Sequence, residues 1–276
     1  MQKSDSLVKK TRMPVMRNRI KRIGLFPAAG YATRISPLPC SKEIYPIGFH
    51  RQNGRNTMRP KVAGEYLLEK MRLARIDLTY IILRKEKWDI PAYFSDGKNL
   101  DIPLAYIMTE DSPGVPFTVD QAYPFIRHAN IAFGFPDILF YPDDAFVQLF
   151  ARQARSKADL VLGLFPAENM HSVDMIRLDA QNNISELLIK PAETDLKYTW
   201  LIAVWTPLFT QFIHDFLVSC KTAGTPESNQ NEIFLGDVVN AALAVGLYID
   251  RVTFEYGQYM DIGTPDSLVR TFKTIN

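Results

Sequence analysis

The stretch Ile23-Gly24-Leu25-Phe26-Pro27-Ala28-Ala29-Gly30-Tyr31-Ala32-Thr33-Arg34, followed shortly by Ser41-Lys42-Glu43-Ile44-Tyr45-Pro46, decides how the rest of the chain is read. Residues 23–27 form a short apolar strand that runs into a loop of small residues ending in a hydroxyl and a guanidinium. Such a loop lets backbone N–H groups approach phosphate oxygens with little side chain in the way. Arg34 closes the loop and Lys42 follows soon after, two cations that suit the charge of a triphosphate. The loop is not a P-loop, because no Gly-Lys-Ser/Thr follows. Nor is it a dinucleotide fingerprint, because Pro37 and Pro39 interrupt where a helix should begin.

Working outward, residues 64–75 carry Leu67, Leu68, Met71 and Ala74 at helical spacing, and residues 79–83 read as a strand. Further buried strands are expected at 102–107, 130–135 and 160–165, separated by helical stretches such as 143–154. Strands alternating with helices predict an α/β fold with a largely parallel sheet covered on both faces. Later, 173–178 and 184–188 bracket Asp179-Ala180-Gln181-Asn182-Asn183, a hairpin signal. A strand at 198–205 and helices at 207–219, 232–245 and 265–272 close the chain.

Of 276 residues, 47% are hydrophobic, a normal globular fraction that excludes wholesale disorder. No apolar run reaches the roughly 20 residues of a membrane span. Cys40 and Cys220 are too few for a disulfide framework and are expected to be free thiols in a reducing compartment, so a cytoplasmic location is expected. The net charge of +2 hides an asymmetry: residues 1–22 hold eight basic side chains against Asp5, leaving 24 basic and 29 acidic residues elsewhere. The expected organisation is therefore a basic leader, 1–22, and one domain, 23–276. His50, His128, His171 and His214 are scattered without ligand spacing. Arg51, Arg55 and Arg59 read as part of a solvated Gly/Asn-containing loop, and Trp200 and Trp205 as core.

Leu25 to Pro46 resembles the signature of the sugar-phosphate nucleotidyltransferases, the nucleoside-diphosphate-sugar pyrophosphorylases that include the glucose-1-phosphate thymidylyltransferases. That signature is L-A-[AG]-G-x-G-T-R, then P-K-x-x-x-P. The likeness continues in order: Gly134-Phe135-Pro136-Asp137 matches a strand-end Gly-Asp, Ile189-Lys190-Pro191 a Glu-Lys-Pro, and Tyr259-Met260-Asp261-Ile262-Gly263-Thr264 a W-x-D-x-G-T. The resemblance covers about residues 23–272. It implies a Rossmann-like mixed, mostly parallel sheet flanked by helices. The implied reaction is magnesium-dependent: a sugar 1-phosphate attacks the α-phosphorus of a nucleoside triphosphate, pyrophosphate leaves, and a nucleoside-diphosphate sugar forms.

By the same resemblance, Ala28, Ala29, Gly30, Tyr31, Ala32 and Thr33 cradle the nucleotide, with Gly114 on the base side. Arg34 neutralises the leaving pyrophosphate and Lys42 the α-phosphate. Lys190 holds the sugar phosphate, and Asp137 and Asp261 hold Mg2+, which commonly takes one or two carboxylates beside substrate phosphates. The implied partners are a nucleoside triphosphate and a sugar 1-phosphate, with neither nucleic acid nor membrane; a homo-oligomer is compatible. The chain departs from the signature at Ala32 (for a second glycine), Ser41 (for proline), Ile189 (for Glu) and Pro116-Phe117 (for small residues); Thr109 stands roughly where thymidylyl- and uridylyl-transferring members often carry glutamine. The departures keep a second reading open, a non-catalytic nucleotide- or sugar-nucleotide-binding protein with the same fold.

Overall fold

The computed structural model describes residues 21–51, 57–110, 112–168, 170–222 and 232–275. Most of the expected leader lies outside these, but Arg22 opens the first strand, β1 (Arg22–Ala28). Its backbone N–H donates to Asp77 Oδ2 (2.9 Å), and its guanidinium lies 4.3 Å over the Phe150 ring.

β1 is buried on both faces, which is why it reads as a nearly continuous apolar run. Ile23 and Leu25 enter one core and Phe26 and Ala28 the other. β4 (Leu78–Arg84) and β6 (Asn130–Gly134) flank it in parallel, and β5 (Leu104–Thr109) lies parallel beyond β4. The sheet turns mixed at β11 (Tyr198–Trp205), which runs antiparallel to β6 and, on its other edge, to β8 (Leu160–Pro166). β12 (Ile249–Thr253) extends β8 in parallel, while β9 (Met175–Leu178) and β10 (Ile184–Leu188) continue beside the start of β11. Nine strands are so joined, and only β10 and β11 oppose the common direction.

One face of this sheet is covered by α1 (Ala63–Leu73), α2 (Asp89–Phe94) and α5 (Ala145–Ser156), through residues such as Leu67, Met71, Phe94, Phe146 and Leu149. The other is covered by α3 (Val115–Asp120), α4 (Tyr123–Ile126), α6 (Pro207–Thr222) and α7 (Leu235–Ala244). Two small antiparallel sheets sit at the edge of this sandwich: β2 (Pro46–Arg51) with β3 (Met58–Val62), and β7 (Ile138–Tyr141) with β13 (Gln258–Asp261). A third apolar cluster around Ile47, Tyr66, Leu139 and Ile262 joins them to α8 (Pro265–Ile275) through Leu268 and Phe272.

Several expectations shift. The strand expected at 102–107 is Leu104–Thr109, because β4 pairs it only from Leu104 on. The helix expected from 143 begins at Ala145, with Asp143 instead accepting from Lys70 Nζ (2.7 Å). Residues 51–59 are not a loop throughout: Arg51 and Arg59 belong to the β2–β3 ladder, while Arg55 lies outside the described residues. The hairpin between β9 and β10 is closed by Asp179, whose Oδ1 accepts the N–H groups of Gln181 (2.9 Å) and Asn183 (2.7 Å).

Candidate active site

The parallel strands β1, β4, β5 and β6 all end at one edge of the sheet, the edge at which open α/β sheets bind ligands. The loop after β1 is placed there by its buried stem, Ala28 and Ala29, and emerges at the exposed Gly30 and Tyr31. Within it Ala32 adopts φ +55°, a left-handed conformation that glycine takes without cost. The Ala32 carbonyl accepts from the N–H groups of Ile35 and Ser36 (both 3.1 Å) and from Ser36 Oγ (3.0 Å), so the loop folds back upon this residue. The methyl is thus a local strain, costing on the order of 1 kcal/mol. Ala32→Gly relieves it, against about 0.5–1 kcal/mol of added chain entropy to lose. The expected outcome is nearly unchanged unfolding stability with tighter triphosphate binding, measured by calorimetry beside wild type. Weaker binding together with lower turnover would show that the methyl fits its ligand.

Asp137 and Asp261, far apart in the chain, are brought together by the β7–β13 ladder. Ile138 pairs with Asp261, and the Ile262 N–H donates to the Asp137 carbonyl at 3.0 Å. Asp261 Oδ1 accepts the Gly263 N–H at 2.6 Å, and a Cβ on Gly263 would lie 3.0 Å from Arg34 Nη2, so the guanidinium closes on the same turn. Lys42 Nζ donates to Asp137 Oδ2 at 2.5 Å. Burial pushes the Asp137 carboxyl up, but the charge and hydrogen bond of Lys42, with Arg34 behind them, outweigh it and hold Asp137 below the usual range. Asp261 is raised, first by burial and then by the negative charge of Asp137. Burial works to lower Lys42, and Asp137 and Glu43 more than reverse it. Two carboxylates, a lysine and an arginine thus share one corner, with one carboxylate neutralised by a cation and the other not.

Lys42 is held in place from behind. The turn Lys42–Ile44 is tethered at Ser41, whose N–H and Oγ donate to Asp89 at 2.6 and 2.7 Å. Its next residue, Glu43, is buried and accepts from the buried Lys87 Nζ at 2.8 and 2.9 Å. In front, Tyr31, Ala32, Lys42, Arg84 and Lys87 line part of a cleft of about 260 Å³. Lys87, Asp89 and Arg84 carry no sequence signal that ties them to the loop.

Gly114 lies at the start of α3, beyond β5, where a Cβ would approach the Ile233 carbonyl to 2.9 Å; only glycine fits this crossing. Thr109 ends β5 and is buried. Lys190 stands apart from the carboxylate corner. It follows β10 in a left-handed conformation (φ +38°), exposed, with Nζ 3.9 Å over the Phe234 ring. Beside it Asp174, another residue without a sequence signal, accepts from the Trp200 indole and the Lys190 N–H, and burial raises its carboxyl. Trp200 and Trp205 are both buried, the second donating to Thr210 Oγ1 at 2.9 Å.

Two solved structures share this architecture. One is a proposed glucose-1-phosphate thymidylyltransferase from Bacillus anthracis in complex with a sucrose, at TM-score 0.74 and 18% identity over 92% of this chain and 95% of that one. The other, a UDP-glucose pyrophosphorylase complexed with UDP-glucose, gives 0.72 and 18% over 93% and 98%. At such identity the likeness shows the fold. Among curated proteins none matches. The nucleotidyl transferase family profile, however, matches residues 24–276, from the first strand through the last helix and across every element that builds the corner just described. The chain belongs to the nucleotidyl transferase family.

Proposed function

We propose that this protein transfers a nucleotidyl group from a nucleoside triphosphate to a sugar 1-phosphate, with Mg2+, releasing pyrophosphate and forming a nucleoside-diphosphate sugar of the thymidylyl or uridylyl type. The observation that carries this reading is the convergence of Arg34, Lys42, Asp137 and Asp261 beside the small-residue loop, at the ligand-binding edge of the sheet. Among the described residues no three His, Cys, Asp or Glu side chains could hold a metal ion by themselves. Two adjacent carboxylates, one raised by burial and by the charge of the other, do fit an oxygen-seeking cation that takes its remaining ligands from phosphates and water. When bound, Mg2+ supplies positive charge to the phosphates in the transition state.

The chain's own residues supply position and charge, with no covalent intermediate. Residues 28–33 cradle the triphosphate, and Gly114 stands on the side of the base. Arg34 takes the charge that develops on the departing pyrophosphate. Lys42, fixed by Asp137 in front and the Glu43–Lys87 pair behind, donates toward the α-phosphate. Lys190 holds the phosphate of the incoming sugar. A pyrophosphate-release screen of four nucleoside triphosphates against several sugar 1-phosphates tests the reading. Release that requires both substrates supports it; nucleotide binding without release in any combination favours the binding-protein alternative.

The role of Arg34 has its own test. Arg34→Ala is expected to weaken triphosphate binding by roughly tenfold or more, the worth of a charge-assisted hydrogen bond, and to leave nucleoside binding nearly unchanged. Calorimetry showing unaltered triphosphate affinity in the folded variant would remove Arg34 from the site.

A further inference from the structure

Arg84 is the last residue of β4, the strand next to β1, so it stands one step beyond the Ala28–Leu83 pair and directly beside the small-residue loop. Its guanidinium lies 3.8 Å over the Tyr31 ring. Nε and Nη1 are shielded from solvent and make no hydrogen bond. The nearest acid, Glu86, is 3.4 Å from Nε and largely exposed, a contact too long for a good hydrogen bond and of the kind that contributes little. The other cations of the cleft are matched: Lys42 with Asp137, Lys87 with Glu43. Arg84, beyond its long contact with Glu86, keeps Nε and Nη1 without a hydrogen bond.

That arrangement has a chemical reading. An aromatic ring beneath a guanidinium satisfies its face and leaves the in-plane N–H fork for an oxyanion. Leaving such donors buried and unmade is expensive, which favours an acceptor beside them. Tyr31 belongs to the loop read as the phosphate cradle, and Arg84, Tyr31, Ala32 and Lys42 open on the same cleft. We propose that Arg84, seated on Tyr31, is a second arginine for the triphosphate, binding the terminal phosphates that leave as pyrophosphate. On this view Arg34, from the loop after β1, and Arg84, from the end of β4, grip the leaving group, while Lys42 serves the α-phosphate. Tyr31 supplies the guanidinium's support through its ring.

This inference rests on the triphosphate reading of the loop, and the experiment separates the two. Inorganic triphosphate, with no base or sugar, is titrated into wild type and into Arg34→Ala, Arg84→Gln, Arg84→Lys and Tyr31→Leu, with thermal melting of each as the check on folding. Arg84→Gln is expected to weaken binding about 10- to 100-fold, the range of a charge-assisted fork. Arg84→Lys restores only part of it, because a point charge lacks the fork, and it carries the test if Arg84→Gln fails to fold. Tyr31→Leu removes the ring beneath the guanidinium and is expected to weaken binding about 2- to 5-fold, the worth of an exposed cation–π contact. If both Arg84 variants bind as tightly as wild type while Arg34→Ala does not, Arg84 lies outside the site and the reading of the loop survives. If wild type itself does not bind inorganic triphosphate, both fall.

Discussion

Asp261→Asn is expected to lower turnover by roughly 100-fold or more, the scale on which removal of one preorganised electrostatic group acts. The fold should survive. An amide keeps an oxygen for the Gly263 N–H, and the β7–β13 ladder is made of backbone bonds. The Lys42–Asp137 hydrogen bond keeps both its partners in this variant, so the loss reports chiefly on the Asp261 carboxylate. Asp137→Asn is expected to lose at least as much, because it also frees Lys42 from its 2.5 Å partner. Both variants are to be compared with wild type by pyrophosphate release at saturating substrates and by thermal melting. An Asp261→Asn enzyme with near-wild-type turnover would remove Asp261 from the reaction.

The second large effect is on stability. Glu43 and Lys87 form an ion pair whose side chains are only 1% and 6% exposed. Burial raises Glu43 above, and lowers Lys87 below, their ordinary ranges, so each prefers its uncharged form in the folded protein more than in the unfolded one. A carboxyl with a raised folded pKa contributes stability below its ordinary range and loses it as pH rises through the folded value. A lysine with a depressed one contributes above its ordinary range and loses it as pH falls. Near neutrality, therefore, the pair is not a net source of stability, yet breaking it strands a buried charge. Lys87→Met is expected to cost about 3–5 kcal/mol, and adding Glu43→Leu to recover most of that loss. Urea unfolding of the three proteins checks it, and an unchanged midpoint for Lys87→Met would contradict it. The recovered double variant should still be a poor enzyme, since Glu43 also raises Lys42.

Much of this corner is written locally. The β1 strand and its loop are legible because a strand buried on two faces must be apolar throughout and a phosphate cradle must be small. Arg34 and Lys42 follow closely enough to be tied to it. Asp137 and Asp261 are legible as residue types in ordered motifs, but not as neighbours. The four-residue strand that joins them pairs with a partner more than a hundred residues later, and neither strand has a periodicity of its own strong enough to announce the pairing. The β2–β3 ladder was hidden for a similar reason: its polar residues, His50 opposite Arg59 and Arg51 opposite Met58, look like a loop until backbone pairing is known. Lys87 shows the limit most clearly. It sits in the charged run Arg84-Lys85-Glu86-Lys87, where nothing local marks it as buried, and only the packing of α2 and the Lys42 turn brings it inward onto Glu43. The left-handed Ala32 lies between these cases, because the family's glycine hinted at positive φ and the structure has it at +55°.

The central claim is direct transfer of a nucleotidyl group, and the measurement closest to it is phosphorus NMR of wild type with Mg2+, a sugar 1-phosphate and the nucleoside triphosphate selected by the release screen. The triphosphate and sugar-phosphate resonances are expected to decline together while the diphosphate resonances of a nucleoside-diphosphate sugar and those of pyrophosphate grow in equal molar amounts. Nucleoside diphosphate with inorganic phosphate, or unchanged substrates in the presence of a binding-competent protein, would contradict it.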